Sequence, residues 1–246
     1  MKVIIDFSNL AFLSFFGSLT EKNIKPADAD ETYIGHHQTF INKFQKILQE
    51  CRRYGARDIL FALDSKPQRK YDIFPEYKGK RKKEELKVNP RESLYNLIRD
   101  WPYQKLLVEG YEADDIIASY VTITTEPTIV VSTDKDLWAL NDLEHVYNLS
   151  PYSLGFTSMD SLKDEFGLSK WSGISLYKTL WGDASDNVPN IAPRKQKKYL
   201  PLIEQADGDF NKLKDLLASE VDEGLLDRNY ALVRLTKDLF SSQSIL

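Results

Sequence analysis

The chain has 246 residues, 42% hydrophobic and 12% aromatic, and a net charge of −4. That is enough apolar material to bury a core, and the acidity excludes a uniformly basic nucleic-acid binder while leaving segregated charge open. The single cysteine, Cys51, excludes an internal disulfide and points to a reducing interior; no stretch reaches the roughly 20 apolar residues of a membrane span.

The N-terminus, MKVIIDFSNL, has one lysine and a short apolar run broken by Asp6. It lacks the long apolar region of a signal peptide, so a cytoplasmic protein is expected. KVIID has the composition of a buried strand and ends on a carboxylate. Residues 36–53 place Phe40, Ile41, Phe44, Ile47, Leu48 and Cys51 on one helical face. Cys51 therefore belongs to the core, and His36 and His37, near the helix start, are expected at the surface. DILFALD repeats the strand design and ends on Asp64. Residues 66–87 change character, with lysine and arginine dominating and aromatic residues interleaved. EADDIIASYV opens with acids and continues apolar, as a helix start does. TIVVSTDKD is a third strand ending in acids, Asp134 and Asp136. After about residue 160 the strand signals fade, and SLKDEFGL, SGISLYKTLWG, KQKKYLPLIEQ and FNKLKDLLASE read as short helices. Strands alternating with helices predict an α/β fold with a mainly parallel central sheet and helices on its flanks. Ligand sites in such sheets lie beyond the carboxyl ends of the strands, where Asp6, Asp64 and Asp134 fall.

Asp6, Asp64, Glu112, Asp114, Asp115, Asp134, Asp136, Asp183 and Asp186 form one set spread across the chain. Any one of them alone reads as a helix cap or a turn residue. Gathered at one sheet edge they would repel, and several would have to take up protons. A pair of Mg²⁺ or Mn²⁺ ions removes the conflict, because hard divalent cations take carboxylate oxygens and water. Other chemistries lack parts. The three histidines and the lone Cys51 make no zinc spacing. There is no Walker A motif and no G-x-G-x-x-G. Ser8 stands where an aspartyl-phosphate phosphatase would carry a second aspartate.

The segment PEYKGKRKK supplies Lys78, Lys80, Arg81, Lys82 and Lys83, with Tyr71, Phe74 and Tyr77 among them. A lysine run in isolation is a solvated helical face. Beside an acidic metal site, cations and aromatic rings suit a phosphodiester, the cations for phosphates and the rings for unpaired bases. A second basic cluster, Arg194, Lys195, Lys197 and Lys198, follows GDASDN and suits the backbone of a duplex.

With EADD, STDKD and GDASDN in that order and separation, the sequence resembles the 5′-nuclease family of flap endonucleases and 5′-3′ exonucleases. PEYKGKR and LLDRNYALV make it most similar to the bacteriophage 5′-exonuclease and ribonuclease H branch. The resemblance runs from IIDFSNLAF to GDASDNVPNI and implies a PIN-like core at 1–155 that includes a basic helical-arch segment at 66–100. Residues 156–246 would be a helical region carrying a helix–three-turn–helix-like element for duplex DNA. It implies two divalent metals, Mg²⁺ or Mn²⁺, cutting a phosphodiester near a free 5′ end. Asp6, Asp64, Glu112 and Asp114 would serve the first metal; Asp134, Asp136 and Asp183 the second; Asp115 and Asp186 would be outer or water-mediated ligands. Lys78 and Arg81 would lie over the scissile phosphate with Tyr77 beside them, Phe12 near the 5′ nucleotide, and Lys178 on a phosphate. Partners would be DNA and RNA–DNA hybrid with free 5′ ends, with single-strand-binding protein or other replication machinery; the protein would be a monomer, in the host cytoplasm if phage-encoded. The chain departs from the family where Asn190, Ala192, Pro193 and Lys195 replace glycines of a K⁺-binding turn, so no specific K⁺ dependence is expected. Two other readings stand beside this one. A PIN-type single-strand ribonuclease would lack the basic arch segment and GDASDN, and a non-catalytic structure-specific DNA-binding protein would have lost ligand positions.

Overall fold

The computed structural model describes residues 1–29, 33–80, 86–192 and 196–240. Five parallel strands form one sheet in the order β3-β2-β1-β4-β5. They are β1 (Lys2–Asp6), β2 (Asp58–Leu63), β3 (Gln104–Leu107), β4 (Thr128–Val131) and β5 (Val146–Leu149). β1 is central, with Ile4 beside Leu60 on one side and Val130 on the other. A strand covered on both faces needs a continuous apolar run, which is why KVIID and TIVV show no alternation. β3 and β5 are the sheet's edges and carry polar or exposed residues such as Gln104, Leu107 and Tyr147. Neither has the apolar run by which the other three strands are recognised.

The chain builds outward from β1 to β3, then returns across the sheet to β4. The crevice between the carboxyl ends of β1 and β4 is therefore the point where the winding reverses, the usual ligand position in such sheets. One face is covered by α1 (Phe7–Glu21), α2 (Gly35–Arg53) and, beyond the short α3 (Gln68–Ile73), α4 (Pro90–Ile98). Val3, Ile5, Phe40, Phe44, Phe61 and Leu94 pack there. The opposite face takes Ile4, Leu60 and Val130 against α5 (Ala113–Ile123) and a 3₁₀ helix at Lys135–Asp142.

His36 departs from the surface position expected of it. It has 0% exposure, with its ring 5.5 Å from that of Phe15 and Nε2 3.0 Å from Ser93 Oγ. Burial and the neighbouring His37 hold it at about 4, so it is neutral at physiological pH. His37, half-buried, reaches the same serine oxygen at 2.7 Å.

The helices α6 (Met159–Phe166), α7 (Gly173–Trp181), α8 (Gln196–Ala206), α9 (Phe210–Leu217) and α10 (Glu223–Val233) complete the described chain. Leu162, Ile174, Leu180, Ile203, Leu213 and Leu226 close a second apolar core among them. Between α7 and α8 the GDASDN turn folds back on itself, Asp183 and Val188 exchanging backbone hydrogen bonds of 3.0 and 2.9 Å. Gly182 makes this possible at φ 71°, where a Cβ would meet the Val188 carbonyl oxygen at 2.3 Å. The buried Asn229 of α10 donates from Nδ2 to the carbonyls of Thr179 (3.0 Å) and Pro189 (2.8 Å), pinning the turn from below.

Candidate active site

The carboxylates serve as caps and also face the crevice. Asp6, at the end of β1, accepts the Asn9 N–H of α1 on Oδ1 and the Ser132 hydroxyl on Oδ2, both at 3.0 Å. Asn9 and Thr133 hold the two strand ends together through Asn9 Nδ2 to Thr133 Oγ1 (2.7 Å) and Thr133 N–H to Asn9 Oδ1 (3.0 Å). Asp134 caps the 3₁₀ helix by accepting the Asp136 N–H at 2.9 Å. Asp64 accepts the Ala113 N–H at 2.9 Å, so α5 is capped from the neighbouring strand and the Glu112 side chain stays free of that duty. Asp183 accepts the Ser185 N–H (2.8 Å) inside the GDASDN turn.

Three lysines stand among these acids. Lys70, unmarked in the sequence reading, is 4% exposed and donates to Glu112 Oε2 at 2.8 Å, with Asp114 Oδ2 at 3.7 Å and Asp115 Oδ2 at 3.8 Å. Lys78 donates to Glu112 Oε1 and lies 3.8 Å from Asp186 Oδ2. Lys178 bridges Asp183 Oδ2 (2.6 Å) and Asp136 Oδ1. Lys178 thus pairs with two of the carboxylates expected to serve a second metal. Among the described residues no three acidic or histidine side chains are gathered closely enough to cage an ion; the ammonium groups lie between them instead.

The electrostatics divide the acids into two groups. Burial and the charges of Asp64 and Asp134 push Asp6 up to about 7. Burial and Asp134 do the same to Asp136, also to about 7. Burial raises Asp114 as well, and Lys70 only partly offsets it. Burial would raise Glu112 too, but Lys70 and Lys78 outweigh it and hold the group at about 2. Asp183 is partly buried, and Lys178 holds it at about 2. Three acids therefore lack sufficient counter-charge, and all their donors are hard oxygens. That donor set fits divalent ions of the magnesium or manganese type.

A pH dependence follows. Asp6 and Asp136 bind protons more tightly folded, at about 7, than unfolded, at 3.8. Metal-free protein therefore loses stability from this source as pH rises between those values. His36, at about 4 folded against 6.5 unfolded, acts in the opposite sense. Its contribution cancels when the same protein is compared with and without metal. Because an ion needs deprotonated ligands, the Tm difference between Mg²⁺ and EDTA should widen from about pH 5 to about pH 8. Thermal melts across that range check it, and a difference that stays flat or narrows refutes the assignment.

Other expected residues fall as follows. Tyr77, expected beside the DNA-facing cations, is 2% exposed; its hydroxyl donates towards Asp186 Oδ2 (2.6 Å) and Glu112 Oε2 (3.0 Å). Asp115, expected as an outer ligand, accepts the Thr236 N–H on Oδ1 at 2.8 Å, tying the chain after α10 to α5, while its Oδ2 lies 3.8 Å from Lys70 Nζ. Phe12 is half-buried on α1, its ring 6.3 Å from that of the exposed Phe16. Lys80 is exposed. Lys198 is exposed and paired with Glu220 at 2.5 Å. Arg81, Lys82, Lys83, Arg194 and Lys195 lie outside the described residues, as does the Lys197 side chain. The turn after Tyr77 docks directly on GDASDN, through Lys78 N–H to Asp186 O and Asn187 Nδ2 to Glu76 O, both 2.8 Å.

A parallel sheet whose carboxyl edge collects acidic side chains around a switch point, with lysines among them, offers the hard oxygen donors that divalent cations take. The family described as 5′-3′ exonuclease, N-terminal resolvase-like domain, matches residues 1–167, and the chain belongs to it. It is 28% identical over 252 residues to DNA polymerase I of Streptococcus pneumoniae, covering 94% of this chain and 28% of that protein. The chain thus spans well under half the length of that relative. It is also 28% identical over 220 residues to a 5′-3′ exonuclease of Buchnera aphidicola, covering 87% of this chain and 72% of that one. Among solved structures it matches a bacteriophage T5 flap endonuclease in a complex with DNA and metal ions, with TM-score 0.68 and 19% identity, over 96% of this chain and 89% of that one. A T5 protein co-crystallised with metal ions matches with TM-score 0.66 and 21% identity, over the same 96% of this chain and 89% of that one. These two show a shared fold.

Proposed function

We propose that the chain is a structure-specific 5′-nuclease that hydrolyses phosphodiester bonds near free 5′ ends of flaps, nicks and RNA or DNA primers. The observation that supports this most is the gathering of Asp6, Asp64, Asp114 and Asp134 around the β1–β4 crevice, from elements far apart in sequence. Two divalent ions, Mg²⁺ or Mn²⁺, would be held by Asp6, Asp64, Glu112 and Asp114 on one side and by Asp134, Asp136 and Asp183 on the other. When bound they would activate water and neutralise charge on the leaving oxygen.

The chain's own residues would do the rest. Lys78 and Lys178 carry ammonium groups at the rim of the acid cluster, placed to meet a phosphate once their carboxylates are otherwise satisfied. The acids buried in the crevice repel phosphate unless cations intervene, so binding without metal would depend on peripheral cations such as Lys80. Residues 1–155 would form the nuclease core with its basic arch segment at 66–100. Residues 156–246 would grip the duplex through the GDASDN turn. A K⁺ site is not part of this reading. Monomeric action in DNA replication or repair, beside single-strand-binding protein or other replication machinery, follows from the same reading.

The test is direct. The protein is incubated with 5′-flap, nicked, blunt and RNA–DNA hybrid substrates in Mg²⁺ or EDTA, and the products are mapped. Mg²⁺-dependent cuts near the 5′ end of flaps or hybrids are expected. Cuts confined to single strands without regard to a 5′ end would favour a single-strand ribonuclease, and no cuts at all a binding protein.

A further inference from the structure

The two oxygens of Glu112 are held in different ways. Oε2 accepts Lys70 at 2.8 Å, and beside it lies the Tyr77 hydroxyl, whose single proton serves both this oxygen at 3.0 Å and Asp186 Oδ2 at 2.6 Å; Lys70 and Tyr77 are both buried. Oε1 meets Lys78, whose side chain is 19% exposed. Lys78 can swing out into solvent. Lys70 cannot: it projects from α3 into a space closed by Glu112, Asp114, Asp115 and the Tyr77 ring, whose centroid is 5.5 Å from its Nζ. Arg69 beside it fastens α3 to the chain after α10, donating to Thr236 Oγ1 (3.0 Å) and Ala231 O (3.1 Å). Withdrawing Lys70 would leave the buried Glu112 to Lys78 alone and take away the ammonium that lies 3.7 Å from Asp114 and 3.8 Å from the buried Asp115, a larger cost than releasing Lys78.

We propose that Lys70, together with Tyr77, is a positioning residue that keeps Glu112 Oε2 on the protein side, leaves Oε1 as the one oxygen offered to a divalent ion, and so biases the site against calcium. This rests on the metal reading of the site given above. Calcium takes six to eight oxygens at longer distances and commonly grips a carboxylate by both; magnesium takes six in a strict octahedron and needs one oxygen per carboxylate. A glutamate with one oxygen already committed to a buried ammonium serves the smaller ion and deprives the larger of a ligand.

The experiment titrates metal-free protein, without nucleic acid, with MgCl₂ and with CaCl₂ by isothermal calorimetry. Wild type is compared with Lys70→Met and Tyr77→Phe. Removing a positive charge, or loosening the fold, changes affinity for both ions together. The readout is therefore the ratio of the two dissociation constants. Lys70→Met should move that ratio toward calcium by about tenfold, the worth of one charge-assisted hydrogen bond. Tyr77→Phe, which keeps the ring and the packing, should move it the same way by a smaller factor. It decides the matter should Lys70→Met fail to fold. An unchanged ratio in the folded variants overturns the proposal while leaving the metal site intact. Wild type that binds neither ion overturns the metal reading itself.

Discussion

Asp134→Asn should reduce cleavage by ~10³-fold or more, since a two-ion site supplies several kcal/mol of transition-state stabilisation and each 1.4 kcal/mol is tenfold. Asp134 is the most informative of the acids to change. Its charge helps to raise Asp6, Asp114 and Asp136 alike, so it lies within the field of both proposed metal groups. The substitution is also structurally mild. Asp134 caps the 3₁₀ helix by accepting the Asp136 N–H, and its own N–H donates to Ser132 Oγ at 3.0 Å. An asparagine oxygen caps equally well, and the backbone donor is untouched. Folding should therefore survive, and so should DNA binding. In EDTA the variant should melt no lower than wild type, because a like charge has been removed. Single-turnover cleavage in Mg²⁺, with a parallel binding assay, is the check; a variant that cuts at near wild-type rate refutes the ligand assignment.

Lys78→Ala should lower the single-turnover rate by ~10²-fold or more with little change in DNA affinity, if the ammonium stabilises charge that develops on the phosphate. Lys78 sits at φ 57° in the turn after Tyr77, held by its N–H to Asp186 O at 2.8 Å. Alanine carries the same Cβ and meets the same backbone strain, so the turn should persist. The ammonium pairs with Glu112 Oε1 at the edge of the acid cluster, within reach of a phosphate bound there. The opposite pattern, affinity lost and single-turnover rate intact, would reduce Lys78 to a backbone contact.

Much of this site is legible in the sequence because its acids terminate strands. KVIID, DILFALD and TIVVSTDKD each run apolar and then stop on carboxylates, and a parallel sheet brings such ends to one edge. The helix at EADDIIASYV is equally plain from its acidic start. The edge strands β3 and β5 are not, because QKLL and VYNL are four residues long, interrupted by polar residues, and acquire strand character from their neighbours in the sheet.

The partition of roles within the acid set is a tertiary matter. Asp114 and Asp115 are adjacent in sequence, yet consecutive helical residues point about 100° apart. Asp114 feels the charge of Asp134, while Asp115 Oδ1 accepts the N–H of Thr236, 121 residues away in sequence. Asp64 caps α5 across 49 residues, which leaves Glu112 to Lys70, Tyr77 and Lys78. In the sequence Lys70 is one cation in a basic run and Tyr77 one ring beside another. α3 and the turn after it press both inward, where burial strengthens each charge interaction and fixes which oxygen each donor takes. By itself the sequence determined which chemical groups are present and which strand ends bear them. The tertiary structure decided how each carboxylate is compensated, because that depends on donors that meet only when α3, α5 and the GDASDN turn close on one another.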